Sequence, residues 1–153
     1  MQCKRIFIFL FSALVLFSIT SCRKRVPAQS GLIGTIAIGP CTFRIPAMAY
    51  VANKNAVANQ GRNIIWVCGG KKLRENGGYS IIFLEPGAEI VSKGGGNTIY
   101  AKSGSKIDSR GGGDVIYYES GTNIVNLKGG SEQLVECPSL IFDYSLAPEN
   151  GCR

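Results

Sequence analysis

"NTIYAKSGSKIDSRGGG" (residues 97–113) is followed without a gap by "DVIYYESGTNIVNLKGG" (residues 114–130). The same 17-residue register extends back over residues 80–96 and 63–79, and a degenerate fifth copy starts at Ser131. Of the 20 glycines, fifteen fall in the first four copies, so the corners repeat along with the strands. A fixed period in this range marks stacked supersecondary units, none able to bury its apolar face alone.

Two strands fit into each unit. Positions 2–6 (Thr98 to Lys102 in the third copy) and 9–13 (Ser105 to Ser109) lean toward β structure. Ser103 with Gly104, and Gly111 with its two neighbouring glycines, offer corners with positive φ. The fold class expected is therefore all-β: a single-domain parallel β-solenoid of about five 17-residue coils, two short strands per coil, with disulfide-tied caps. Coils would stack about 4.8 Å apart.

Reading one position up the stack separates inside from outside. Position 3 is Ile65, Ile82, Ile99, Ile116 and Gln133, and position 11 is Leu73, Ile90, Ile107, Ile124 and Ile141. Such uniform branched columns suit a narrow interior filled by stacked side chains. Position 6 is Cys68, Glu85, Lys102, Glu119 and Glu136, which assigns it to water. The two-residue alternation of a strand then places positions 2 and 4 outside and positions 3 and 5 inside. Opposite charges alternate up positions 6 and 10, as in Lys72, Glu89 and Lys106, and read as a ladder that keeps the coils in register.

Position 4 is Trp66, Phe83, Tyr100, Tyr117 and Leu134. On this reading it forms a flat aromatic stripe on one outer face, able to stack on sugar rings or a partner protein. Such rings equally stabilise a sheet by stacking on each other, or lie beneath residues 31–62.

The N-terminus addresses the chain. Lys4 and Arg5 precede an apolar run of residues 6–19, and residues 1–21 read as a secretory signal. The run is too short to span a bilayer comfortably. Ile19, Thr20, Ser21 and Cys22 resemble the bacterial lipobox, which implies lipidation of Cys22 and a membrane partner reached through that anchor. Removal of the leader leaves Cys22, Cys41, Cys68, Cys137 and Cys152, and lipidating Cys22 restores an even four. Loss of Lys4 and Arg5 lowers the net charge from +7 to +5, and Arg23, Lys24 and Arg25 directly follow the anchor, where they would meet anionic headgroups. The expected location is the cell envelope, on the outer membrane or a periplasmic face, with plain secretion as the alternative. Nucleic acid is not an expected partner, since basic residues alternate with acidic ones instead of forming a patch.

The other cysteines bracket the stack. Cys68 in the first coil and Cys137 in the fifth lie about four rises apart, too far for a disulfide. The expected pairs are Cys41 with Cys68 and Cys137 with Cys152, tying down an N-terminal cap (residues 31–62) and a C-terminal cap (residues 143–153). Residues 22–30 read as a tether, 31–38 as a short strand, and 46–59 as a short helix or a degenerate extra coil.

Several chemistries are excluded or disfavoured. With no histidine, imidazole acid-base chemistry and His-ligated metals are impossible. No Cys-x-x-Cys pair supports zinc. The run of three glycines before Asp114 supplies one aspartate, short of the six to eight oxygens calcium needs. Asp108 and Asp114 sit on opposite sides of a corner and make no glycosidase pair. No cofactor is expected.

The "GGGNTIYAKSGS" and "GGGDVIYYESGT" units of residues 63–142 resemble the short Gly/Asn-rich parallel β-solenoid repeats of small bacterial envelope lipoproteins without an assigned activity, and more remotely adhesin repeats. The resemblance implies no catalytic residues. The expectation is a non-catalytic cell-envelope lipoprotein with a structural or adhesive role, possible partners being envelope polysaccharide or protein. The alternative is a surface glycan-binding or glycan-processing protein using Trp66, Phe83, Tyr100 and Tyr117.

Overall fold

The computed structural model describes residues 34–39, 41, 50–52, 55–142 and 152. They form twelve strands: β1 (Gly34–Ile38), β2 (Tyr50–Ala52), β3 (Ala56–Ala58), β4 (Asn63–Val67), β5 (Lys72–Glu75), β6 (Ile81–Leu84), β7 (Glu89–Ser92), β8 (Thr98–Ala101), β9 (Lys106–Ser109), β10 (Val115–Glu119), β11 (Asn123–Leu127) and β12 (Gln133–Cys137). A seven-stranded sheet runs β12-β10-β8-β6-β4-β1-β2, and a five-stranded sheet runs β11-β9-β7-β5-β3. All strand pairs are parallel, so the chain climbs as a β-solenoid. Among the described residues no helix is long and apolar enough to cross a membrane.

Stacking follows the 17-residue period through four coils. Ile65 pairs with Ile82, Ile82 with Ile99, and Ile99 with Ile116 in one sheet. Leu73 pairs with Ile90 and Ile90 with Ile107 in the other. These columns, with Val67, Leu84 and Ala101 from position 5, form one buried interior. Burying each isoleucine contributes roughly 1.5–3 kcal/mol. Gly70, Gly87, Gly104 and Gly121 all have positive φ at the first corner, where a side chain would strain the backbone.

The fifth coil departs from the ungapped repeat. Between β9 and β11, Ile107 pairs with Ile124 but Asp108 pairs with Asn126, leaving Val125 as an extra residue. One residue now opposes none, and everything after it shifts by one. Leu134, not Gln133, follows Ile116; Val135, not Leu134, follows Tyr117; and Cys137, not Glu136, follows Glu119. Ile141 therefore lies outside position 11, and it is exposed. Ser131 takes the positive-φ place held by Gly113 one coil earlier, as Arg62 and Tyr79 do at the start of the stack.

Within residues 46–59, Tyr50–Ala52 and Ala56–Ala58 are strands, and Ala56 stacks on Leu73, which makes β3 part of a degenerate extra coil; among the described residues of this range there is no helix. β1 begins at Gly34 and stacks on β4. The disulfides are Cys41–Cys68 and Cys137–Cys152, as expected from spacing. With the shifted register, Cys68 and Cys137 occupy the same position in the first and the fifth repeat.

Candidate functional site

Two groups of side chains gather the chemistry of this stack: the aromatic wall outside the larger sheet, and a polar seam inside the glycine corner. Position 4 of the repeat supplies the wall. Trp66 and Phe83 stack with centroids 4.2 Å apart, Phe83 and Tyr100 at 5.1 Å, and Tyr100 and Tyr117 at 5.1 Å, all within 18° of parallel. Ring separation tracks the rise between coils because each ring leaves the backbone at the same place.

The stripe is not the exposed face expected from alternation. Trp66, Phe83 and Tyr100 are 1%, 3% and 4% exposed, and Tyr117 is half-buried. After Cys137 the described residues up to Phe142 return across the outer face of the sheet. Leu140 is buried there, and Phe142 meets Phe83 and Trp66 edge-on at 5.3 and 6.0 Å. Lys102 Nζ lies 5.3 Å from the centre of the Phe142 ring, a cation–π geometry. The Leu140 N–H donates to Glu119 Oε1 at 2.7 Å, and Leu140 bridges Cys152 in antiparallel fashion. Disulfide Cys137–Cys152 thus fastens a strap over the ladder.

Position 6 is also less exposed than expected. Glu85 is buried, and its Oε2 accepts the Gly69 N–H at 3.0 Å; Glu119 Oε2 likewise accepts the Ser103 N–H. Each carboxylate caps a corner of the preceding coil. Burial opposes the charge of Glu119, but the N–H groups of Leu140 and Ser103 and the cation of Lys102 outweigh it and lower its pKa. Lys102–Glu119 and Lys72–Glu89 form ion pairs at 3.3 and 3.4 Å between adjacent coils, two rungs of the expected ladder.

The polar seam is what position-by-position reading passed over. Position 1 (Asn63, Ser80, Asn97, Asp114) and position 13 (Glu75, Ser92, Ser109) are buried. Their parity is that of the apolar positions 3 and 11, which was the available signal. Asn97 is the hub. Its Oδ1 accepts the Ser80 N–H at 2.9 Å, and its Nδ2 lies 2.6–3.2 Å from Gly94 O, Ser92 Oγ, Glu75 Oε2 and Asp114 Oδ1. Asp114 also accepts from the Asn97 N–H and from the Ser92 and Ser109 hydroxyls. Glu75 Oε1 accepts the N–H groups of Gly77 and Gly78. Burial pushes the carboxyls of both Glu75 and Asp114 above the ordinary carboxylate range, against the hydrogen bonds that favour the charge. Asp108 faces away and pairs with Arg110, so it makes no dyad with Asp114.

Cys41, Cys68 and Glu85 bring two sulfurs and a carboxylate within 4.8 Å, but the sulfurs are joined in a disulfide and offer no thiolate to a metal. Cys22 and the leader lie outside the described residues. Comparison with protein-family models, curated proteins and solved structures gives no match.

Trp66 is the only tryptophan, so its fluorescence reports the strap directly. Phe142→Ala is expected to shift the emission to the red, increase quenching by acrylamide, and lower stability by about 2 kcal/mol. Unchanged emission and quenching would show that Phe142 does not shield the ladder.

Proposed function

We propose that this protein is an exported, lipid-anchored structural module of the cell envelope, a rigid non-catalytic stack held to a membrane through Cys22. The observation that supports it best is the pair of disulfides at the first and last coils, Cys41–Cys68 and Cys137–Cys152. Disulfides persist in oxidising compartments outside the cytosol. They fasten the segment after β1 to the first repeat and the segment after β12 to the fifth, where added cross-links oppose fraying of the stack. The polar residues fit the same role, since Glu85 and Glu119 cap corners while Glu75 and Asp114 bind backbone and side-chain donors inside the stack.

Anchoring would work by simple addition. Acyl chains contribute about 0.8 kcal/mol per buried methylene, and Arg23, Lys24 and Arg25 add attraction to anionic headgroups. Mass spectrometry of the protein from fractionated cells tests this: a diacylated or triacylated Cys22 in the membrane fraction is the expected result. An unmodified Cys22 thiol in the soluble fraction would refute the anchor.

Glycan binding through Trp66, Phe83, Tyr100 and Tyr117 requires the strap to lift, because three of the four rings are buried beneath it. Titration with envelope polysaccharide separates the two readings. No change in Trp66 fluorescence is expected; a saturable change abolished by Tyr117→Ala, with thermal stability intact, would favour the glycan reading.

A further inference from the structure

The two outer faces of the stack carry opposite charge. The strap covers the larger sheet, whereas the outer face of the smaller sheet keeps six cations exposed at positions 10, 12 and 14: Lys72, Arg74, Lys93, Lys106, Arg110 and Lys128. Two anions, Glu89 and Asp108, share that face and leave it at +4. The other charged residues among those described, three cations and six anions, sum to −3. Along the chain, basic residues alternate with acidic ones, so the surplus emerges only when the strands are assembled into one face.

Position 14 concentrates it. Lys93, Arg110 and Lys128 follow one another through three adjacent coils, because their N–H groups donate to Glu75 O, Ser92 O and Ser109 O of the coil below at 2.7–2.9 Å. Lys128 reaches this column only through the extra residue Val125; the ungapped repeat would have put Leu127 there. Like charges on neighbouring strands, about 4.8 Å apart, repel and cost stability. Keeping the coils in register therefore does not account for this column, as it does for the alternating positions 6 and 10. Asp108 offsets one of the three through its two contacts to Arg110.

Apolar side chains stand among the cations. Val57 and Val125 are 57% and 48% exposed, and half-buried Val91 lies beside Arg74 at position 12. The face spans five strands and five residues along each, about 19 by 13 Å.

We propose that this face lies on an anionic lipid surface, with its cations among the headgroup phosphates and its valines turned toward the acyl boundary. Charge complementarity selects an anionic partner, and two features favour a bilayer over a dissolved polyanion. The cations spread in two dimensions, as a layer of headgroups does, and they are interspersed with exposed apolar side chains, the combination that interfacial binding uses. The proposal takes from the envelope reading only that a membrane is at hand.

Vesicle binding by the full chain carrying Cys22→Ser, which no acyl chain can anchor, tests the proposal. Vesicles of phosphatidylcholine with about one-third phosphatidylglycerol are expected to bind at least about tenfold more tightly than phosphatidylcholine alone, and less tightly as salt rises. Lys93→Glu combined with Lys128→Glu is expected to lower affinity for the anionic vesicles at least about tenfold, since each charge near the surface amounts to about fivefold. Each new carboxylate neighbours Arg110 and can pair with it. The leader and Arg23, Lys24 and Arg25 are common to both chains, so the difference reports the face. Equal binding to both vesicle types, or no effect of the double reversal, would overturn the proposal. So would binding to dextran sulfate that the double reversal removes without any binding to anionic vesicles, which would assign the face to a polymer. Should the double variant fail to fold, lysine acetylation of the Cys22→Ser chain decides: protection of Lys93, Lys106 and Lys128 by anionic vesicles, with Lys102 on the opposite sheet unchanged, supports the proposal, and unchanged labelling overturns it. An unmodified Cys22 in cells would refute the anchor and leave these results standing.

Discussion

Gly111→Ala should leave little folded protein, whereas Gly113→Ala, two residues away, should fold almost normally. A Cβ on Gly111 would fall against the carbonyl of Gly94 and the nitrogen of Gly95, backbone atoms of the coil below that cannot rotate aside. The coils would have to separate locally, breaking ladder hydrogen bonds and opening the interior around the seam. We expect a loss of at least about 3 kcal/mol. Gly113 has φ +76 but open space where a Cβ would stand, so alanine costs only the backbone term of about 1 kcal/mol. Arg62, Tyr79 and Ser131 already hold equivalent places with positive φ. Thermal or urea unfolding of the two variants checks the contrast; similar losses in both would mean that turn conformation, rather than the approach of adjacent coils, makes glycine necessary at this corner.

The second large effect is expected at Asn97. Replacing it by alanine removes the acceptor of the Ser80 N–H and the amide donor shared by Glu75, Ser92, Gly94 and Asp114. Two buried carboxylates then lose a donor at once. Hydrogen bonds to charged groups contribute about 1.5–3 kcal/mol each, so a loss of roughly 3 kcal/mol is expected at neutral pH. The loss should shrink in acid, where Glu75 and Asp114 become neutral. Guanidinium unfolding of Asn97→Ala at both pH values measures it; a loss below about 1 kcal/mol at neutral pH would show that the hub is not energetically central.

Asp114→Asn isolates the charge from the geometry. The folded pKa of Asp114 is raised above its ordinary 3.8, chiefly by burial, so the folded state holds the proton more tightly than the unfolded chain. Its favourable contribution is fully present below pH 3.8 and is lost as pH rises through the raised value. Glu75 acts in the same sense from its ordinary 4.5. Asp108 and Glu119, with lowered values, act in the opposite sense and lose their contribution as pH falls. Comparing Asp114→Asn with the unaltered chain cancels those other groups. The variant should gain stability relative to the parent as pH rises from acid to neutral. A constant difference across that range would mean that Asp114 carries its charge at no cost inside the stack.

Much of the architecture was legible because stacking is a repeat of one local decision. Ile82, Ile99 and Ile116 recur at one spacing, and a two-residue alternation around them assigns inside and outside without knowledge of any distant contact. The disulfides were legible for the same reason, since a known rise per coil separates Cys68 from Cys137. Val125 was not, because the 17-residue match continues unbroken to Gly130 and hides an extra residue that the backbone accommodates as a bulge. The polar seam was half legible: Asn97 and Asp114 have inward parity, but polar side chains argue for water until their partners are known.

The order of the coils, the filling of the interior and the cystine pairs follow from spacing along the chain, where each residue's neighbour above is set by counting. Whether the outer wall meets water was decided only in the tertiary structure. There Phe142 and Leu140, arriving from beyond the last coil, cover Trp66 and Phe83 far below them in sequence. Alternation along a strand says which way a side chain points; what waits there depends on a long-range contact that no local period contains.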